Sequence, residues 1–158
     1  HRRLWVANSS SGSVTEMNAV TGVWLATLHD KQFGLGDPIS ETAGQTRLWV
    51  ASKTSASVSE INTATGKLVR VIGGPKFGLA TPAAMALADG RLWVANAGNS
   101  SVTEIDASTG HLVGRLAGSR YGFARPVGVA AYQGRVWIVN RAADSVTELI
   151  PRRAGRHR

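Results

Sequence analysis

A 44-residue repeat, four short β-prone segments in each full repeat, and the lack of any sustained helical periodicity together predict an all-β chain. The architecture they predict is a β-propeller, present as a partial ring of about three and a half four-stranded blades. Several markers carry the period. LWVAN begins at Leu4, LWVAS at Leu48, LWVAN at Leu92 and VWIVN at Val136. SVTEM, SVSEI, SVTEI and SVTEL begin at Ser13, Ser57, Ser101 and Ser145, and FGLGDP, FGLATP and YGFARP begin at Phe33, Phe77 and Tyr121. No insertion breaks the register. Residues 3–150 therefore read as propeller repeats, in units starting near 4, 48, 92 and 136, and residues 151–158 as a basic C-terminal tail.

The third unit gives the elements in order. Strand a is expected over Ala83–Ala88, b over Arg91–Asn96, c over Ser101–Asp106 and d over His111–Gly118, counted from the hub outward. Val, Ile, Leu and Trp dominate these segments, and Asp-Gly, Gly-Asn and Thr-Gly punctuate them. Strand b is apolar almost throughout because neighbouring blades cover both faces of its sheet. Trp5, Trp49, Trp93 and Trp137 occupy one position in strand b, where each ring can bury about 150–250 Å² between blades. Glu16, Glu60, Glu104 and Glu148 recur in strand c. If Asn96 pairs with Ser101, Trp93 lies opposite Glu104, and a buried carboxylate there needs a partner. Arg3, Arg47, Arg91 and Arg135 recur as candidates, so the whole array reads as structural. Gly22, Gly66 and Gly110 are expected at positive φ in tight c–d turns. Pro38, Pro82 and Pro126 open strand a, where a missing N–H costs least. Trp24, the one tryptophan outside the period, stands where Leu68 and Leu112 lie and is expected to pack on strand d, with an exposed contact for a partner as the alternative.

The segments RLWVANAGNSSVTEIDASTGHLVGRL and PVGVAAYQGRVWIVNRAADSVTEL resemble YVTN-type β-propeller repeats and, more distantly, NHL repeats. The resemblance covers about Arg3 to Ile150. It implies a propeller and, for function, a scaffold, a binding module or a rarer enzyme. It also implies a bacterial, secreted or cell-surface setting. The repeated FGLxxP connection is longer than is usual in that family.

Entry at strand b of the first unit and exit after strand c of the fourth give an expected 14 strands. The chain reads as a fragment of a larger propeller, with self-association of copies as the alternative. Unclosed sheets would otherwise leave bare edges.

Composition narrows the function. The chain has no cysteine, so disulfides and thiolate metal sites are excluded. No apolar run reaches the roughly 20 residues needed to span a bilayer, and no signal peptide is seen in this chain. The net charge is +8, yet Arg2, Arg152, Arg153, Arg156 and Arg158 lie at the extreme ends and the body is close to neutral. His1, His29, His111 and His157 are scattered, and strand a with its loops offers only Glu41, Asp89 and Asp37. No catalytic, cofactor or metal residues are assigned. The leading expectation is a non-enzymatic binding or scaffold module for a protein, peptide or glycan. Its candidate surface is the d–a loops, carrying Lys31, Phe33, Lys76, Phe77, Arg120, Tyr121 and Arg125, beside small polar b–c loops on the same face. The opposing expectation for the aromatics is that they plug gaps between blades. Two further alternatives are a propeller-type lyase or lactonase-like enzyme with an axial metal, and polyanion or nucleic-acid binding through the basic tail and loop cations.

Overall fold

The structure, a computed structural model, describes residues 3–29 and 31–151. Among the described residues, fourteen strands form four antiparallel sheets. The first holds β1 (Arg3–Asn8), β2 (Ser13–Asn18) and β3 (Trp24–Leu28). The second holds β4 (Pro38–Ala43), β5 (Arg47–Ser52), β6 (Ser57–Asn62) and β7 (Leu68–Gly73). The third holds β8 (Pro82–Ala88), β9 (Arg91–Asn96), β10 (Ser101–Asp106) and β11 (Leu112–Leu116). The fourth holds β12 (Pro126–Tyr132), β13 (Arg135–Asn140) and β14 (Ser145–Leu149). Each sheet keeps its strands in chain order, so every connection within a blade is a hairpin. β4 neighbours β8 and β8 neighbours β12, which puts strand a of successive blades at the hub.

The turns follow from their residues. Gly22, Gly66 and Gly110 sit at φ 70°, 67° and 72°, the left-handed region that glycine enters without a Cβ clash. Asp89-Gly90 and Gln133-Gly134 both have two positive φ values, the pattern of type I′ hairpins whose twist matches the strands they join. The three prolines open β4, β8 and β12. Asn96 pairs with Ser101 and Trp93 with Glu104, and the equivalent register recurs in all four sheets.

The core lies between sheets, and one recipe builds it three times. Each sheet has an indole face, carrying the tryptophan, and a leucine face on its other side. Trp5 and Val14 pack on Leu48, Val50 and Ile61 of the next sheet. Trp49 and Val58 pack on Leu92, Val94 and Ile105. Trp93 and Val102 pack on Val136 and Ile138. The carboxylates lie beside the indoles and all four are matched by arginine. Arg47 Nε donates to Glu60 at 2.9 Å, and Arg70 Nε stands 2.8 Å from the other oxygen, in charge contact but out of line for a hydrogen bond. Arg91 lies 3.2 Å from Glu104, while Arg3 pairs with Glu16 and Arg135 with Glu148. Burial raises the Glu104 carboxyl above its ordinary pKa, against the pull of Arg91.

One expectation fails. Trp24 does not pack on its strand: it is 61% exposed, and its Nε1 donates to Thr27 Oγ1 at 3.1 Å. Leu68 and Leu112 do pack into the clusters between sheets, because each has a preceding sheet over it. Nothing among the described residues covers the corresponding face of the first sheet.

Candidate ligand-binding face

The d–a loops each make a single turn of 3-10 helix, at Lys31–Phe33, Pro75–Phe77 and Ser119–Tyr121. Gly34, Gly78 and Gly122 end these turns in the left-handed region. The loops then run against the b–c loop of the blade they lead into. The Lys53 and Thr54 amides donate to the carbonyls of Asp37 and Gly36, those of Ala97 and Gly98 to Thr81 and Ala80, and those of Arg141 and Ala142 to Arg125 and Ala124. The residue before each proline, Asp37, Thr81 or Arg125, is thereby held at φ 56°, 47° or 50°. Such a conformation costs a non-glycine residue on the order of 1–2 kcal/mol, and the two-rung ladder holds it in place. The close approach limits the neighbouring residues as well. A Cβ on Gly98 would lie 2.8 Å from Thr81 Oγ1, and one on Gly36 would lie 2.9 Å from the Ser55 amide nitrogen. Both sets of loops therefore form one fixed surface.

A second anchor runs beneath it. The Thr103 hydroxyl donates to the Phe77 carbonyl at 2.9 Å and the Thr147 hydroxyl to the Tyr121 carbonyl at 3.0 Å. Ser59 makes the same bond to the Phe33 carbonyl. The side-chain amides of Asn96 and Asn140 donate in turn to Thr103 and Thr147, each at 2.9 Å. In the second unit Ser52 replaces the asparagine, and its buried hydroxyl has no partner. The sequence places Thr103 in strand c and counts Asn96, Ser101 and Asn140 at the margins of small polar b–c loops, with no fastening role for any of them. The structure buries Asn96, Ser101, Thr103 and Asn140 as the fastening of the d–a loops. Their recurrence at 44 residues was the available signal.

On this frame the aromatics and cations part company. Phe33 and Phe77 are buried in the clusters between sheets, so their rings plug the blade junctions. Tyr121 is half-buried and stacks on Phe123, with ring centroids 5.3 Å apart. Lys31, Lys76, Arg120 and Arg125 are exposed. Lys76 Nζ stands 5.1 Å from the Phe77 ring centre, and the Arg120 guanidinium 4.6 Å from that of Tyr121, while its Nη2 donates to the Tyr121 hydroxyl at 2.8 Å. A cation held over a ring face is steadied by the ring quadrupole and keeps its outward N–H groups for another acceptor. Lys53 and Arg141, exposed on the b–c loops, add charge that the sequence reading did not single out. Lys53 lies 3.9 Å from Asp37.

The other sequence candidates are dispersed. Glu41 stands on β4 near the hub, half-buried, and burial raises its carboxyl above the ordinary value. Among the described residues no group of three or more His, Asp or Glu side chains could hold a metal ion. No described helix is long and apolar enough to cross a membrane. Arg2 and Arg152–Arg158, which carry the tail-mediated polyanion reading, lie outside the described residues.

Sheets stacked side by side, with strand a at the hub and loops gathered on one face, define the class: this is a β-propeller fold, seen as an arc. Solved structures agree. Hydrazine synthase from Kuenenia stuttgartiensis is similar with a TM-score of 0.80 at 17% identity, over 94% of this chain and 43% of that one. The computationally designed protein Ika4 is similar at 0.75 and 12%, over 95% of this chain and 86% of that one. The WD40 β-propeller domain of Doa1 is similar at 0.73 and 11%, over 93% and 46%. This chain thus spans less than half the length of the first and the third. At these identities the likeness concerns the fold alone. No family model matches the chain, and no curated protein matches it in sequence.

Proposed function

We propose that the chain is a non-enzymatic binding and scaffold module whose loop face takes an acidic segment of a protein partner. One observation carries this reading: Lys76 and Arg120, at equivalent positions of successive units, are exposed over rings on loops that are locked from below. A cation fixed in this way loses little rotamer freedom when it meets a carboxylate, so less of the contact is spent on ordering it. Arg125 on the same loop and Arg141 beside it extend the positive rim. The likeness of the repeats to the YVTN type supports a bacterial, secreted or cell-surface setting, where such a module works alongside further blades of its own protein or further copies.

A fluorescein-labelled oligoglutamate peptide, titrated by anisotropy, tests the face. The wild-type chain should bind saturably, with an affinity that weakens as salt rises. The double substitution K76E/R120E should weaken it at least about tenfold, the effect of roughly 1.4 kcal/mol, with melting unchanged. Wild type that fails to bind, or a double variant that binds equally well, contradicts the proposal.

A further inference from the structure

The two ends of the arc expose the two halves of an interface that the molecule builds three times within itself. On the leucine face of the first sheet, Leu4 is 49% exposed and Val6 37%, whereas the equivalent Leu48, Leu92, Val50 and Val94 are all at 0%. Trp24 pairs with Met17 on that same side and is also bare. On the indole face of the fourth sheet, Val139 is 45% and Val146 61% exposed, whereas the equivalent Ala51, Ala95, Val58 and Val102 are at 0%. An open groove on this side is lined by Val127, Val139 and Val146, with the polar Arg141 and Asp144 at its loop end. Both patches carry β-branched and aromatic residues in the register that the inner sheets use for packing.

We infer that a second copy of this chain docks head to tail, with the indole face of its fourth sheet on the leucine face of the first sheet. Continuity with the three internal interfaces is the reason. Trp137 and Val146 stand toward Leu4 and Val6 as Trp93 and Val102 stand toward Val136 and Ile138. Trp24, larger than Leu68 and Leu112 at the same position, brings a ring to the junction. Pairing like faces would set two Arg135–Glu148 pairs against each other and leave Leu4 and Trp24 bare. The contact is therefore heterologous, and its repetition closes a ring or extends a filament according to the rotation at each step. It uses sheet faces rather than the d–a loops that carry Lys76 and Arg120, and of the proposed rim only Arg141 borders it.

Sedimentation velocity over rising concentration reads the association. The wild-type chain should pass from monomer to larger species. Leu4→Glu and Val146→Glu should each remain monomeric with unchanged circular dichroism, because each charge falls on a patch that is bare in the monomer. An equimolar mixture of the two variants should give a dimer and nothing larger, since one intact half survives on each. Leu4→Ser and Val146→Ser repeat the test if a glutamate variant does not fold. A wild type that is monomeric at every concentration overturns the inference, whatever else then covers the patches. Variants that still assemble, or a mixture that does not pair, overturn it too.

Discussion

Asp106 closes the c–d turn of the third unit by accepting from the amides of Ser108 and Thr109 at 3.0 and 2.9 Å and from both of their hydroxyls. Asn18 and Asn62 do the same work at the equivalent turns, where Oδ1 accepts from the amides of residues 20 and 21 and of residues 64 and 65. Only Asp106 can titrate. The Ser108 hydroxyl and the Thr109 amide lead in favouring its charged form, and its pKa is lowered to about 2. A carboxyl depressed in the folded state stabilises above its unfolded pKa, near 3.8, and that contribution is lost as pH falls toward 2. Asp106→Asn keeps the turn and removes the titration. The melting-temperature difference between wild type and this variant should therefore be constant above pH 4 and change between about pH 4 and 2, with wild type losing ground. A difference that stays flat across that window would show that the turn does not hold the charged form.

At the scale of elements, the hydroxyl of strand c fastens the d–a loop. Thr103→Val leaves the Phe77 carbonyl without its side-chain donor and takes from the Asn96 amide its shortest acceptor, leaving it the longer contacts to the Val94 carbonyl and the Ser101 hydroxyl. The expected cost is about 1–3 kcal/mol by urea unfolding. At Thr15, the equivalent residue of the first sheet, Asn8 donates at 2.8 Å and no loop carbonyl is met among the described residues, so Thr15→Val should cost less than about 1 kcal/mol. Equal losses at the two sites would deny the loop its anchor. Little of this network was legible in the sequence. Asn, Ser and Thr flanking a short turn have the composition of a solvated loop, and only the structure shows that a loop from the preceding connection folds over them. The bounds of strands b and c, the Trp93–Glu104 register and the arginine partners were legible, because alternation and a fixed period constrain hairpins strongly. Strand a, by contrast, begins one residue earlier, at Pro82, and strand d covers only Leu112–Leu116 of the expected His111–Gly118. For the candidate face, the sequence located the loops. It could not separate buried Phe77 from exposed Lys76, since neighbours in a turn differ only in the direction of their side chains.

For the whole molecule, the main contacts of each sheet among the described residues are with its neighbours, and each junction repeats the last. Stability in such an array is close to a sum of blade and interface contributions, and cooperativity spreads along the arc. The rise in exposure from Trp93, buried, to half-buried Trp137 follows directly: an indole is covered only where a next sheet stands. Trp24 was misjudged for the same reason, since exposure at an end of the arc is a property of the assembly and is absent from local sequence.

The most direct measurement is thermal unfolding of a chain in which residues 47–90, one whole period, are duplicated in tandem. Since each sheet hides its apolar faces only against others of its kind, the added unit should enter as a fifth sheet, and the chain should melt cooperatively at a temperature no lower than the parent's. Melting depressed as far as by an insertion of about 33 residues, which breaks the register, would contradict the account, for then the period would not be the unit from which this molecule is built.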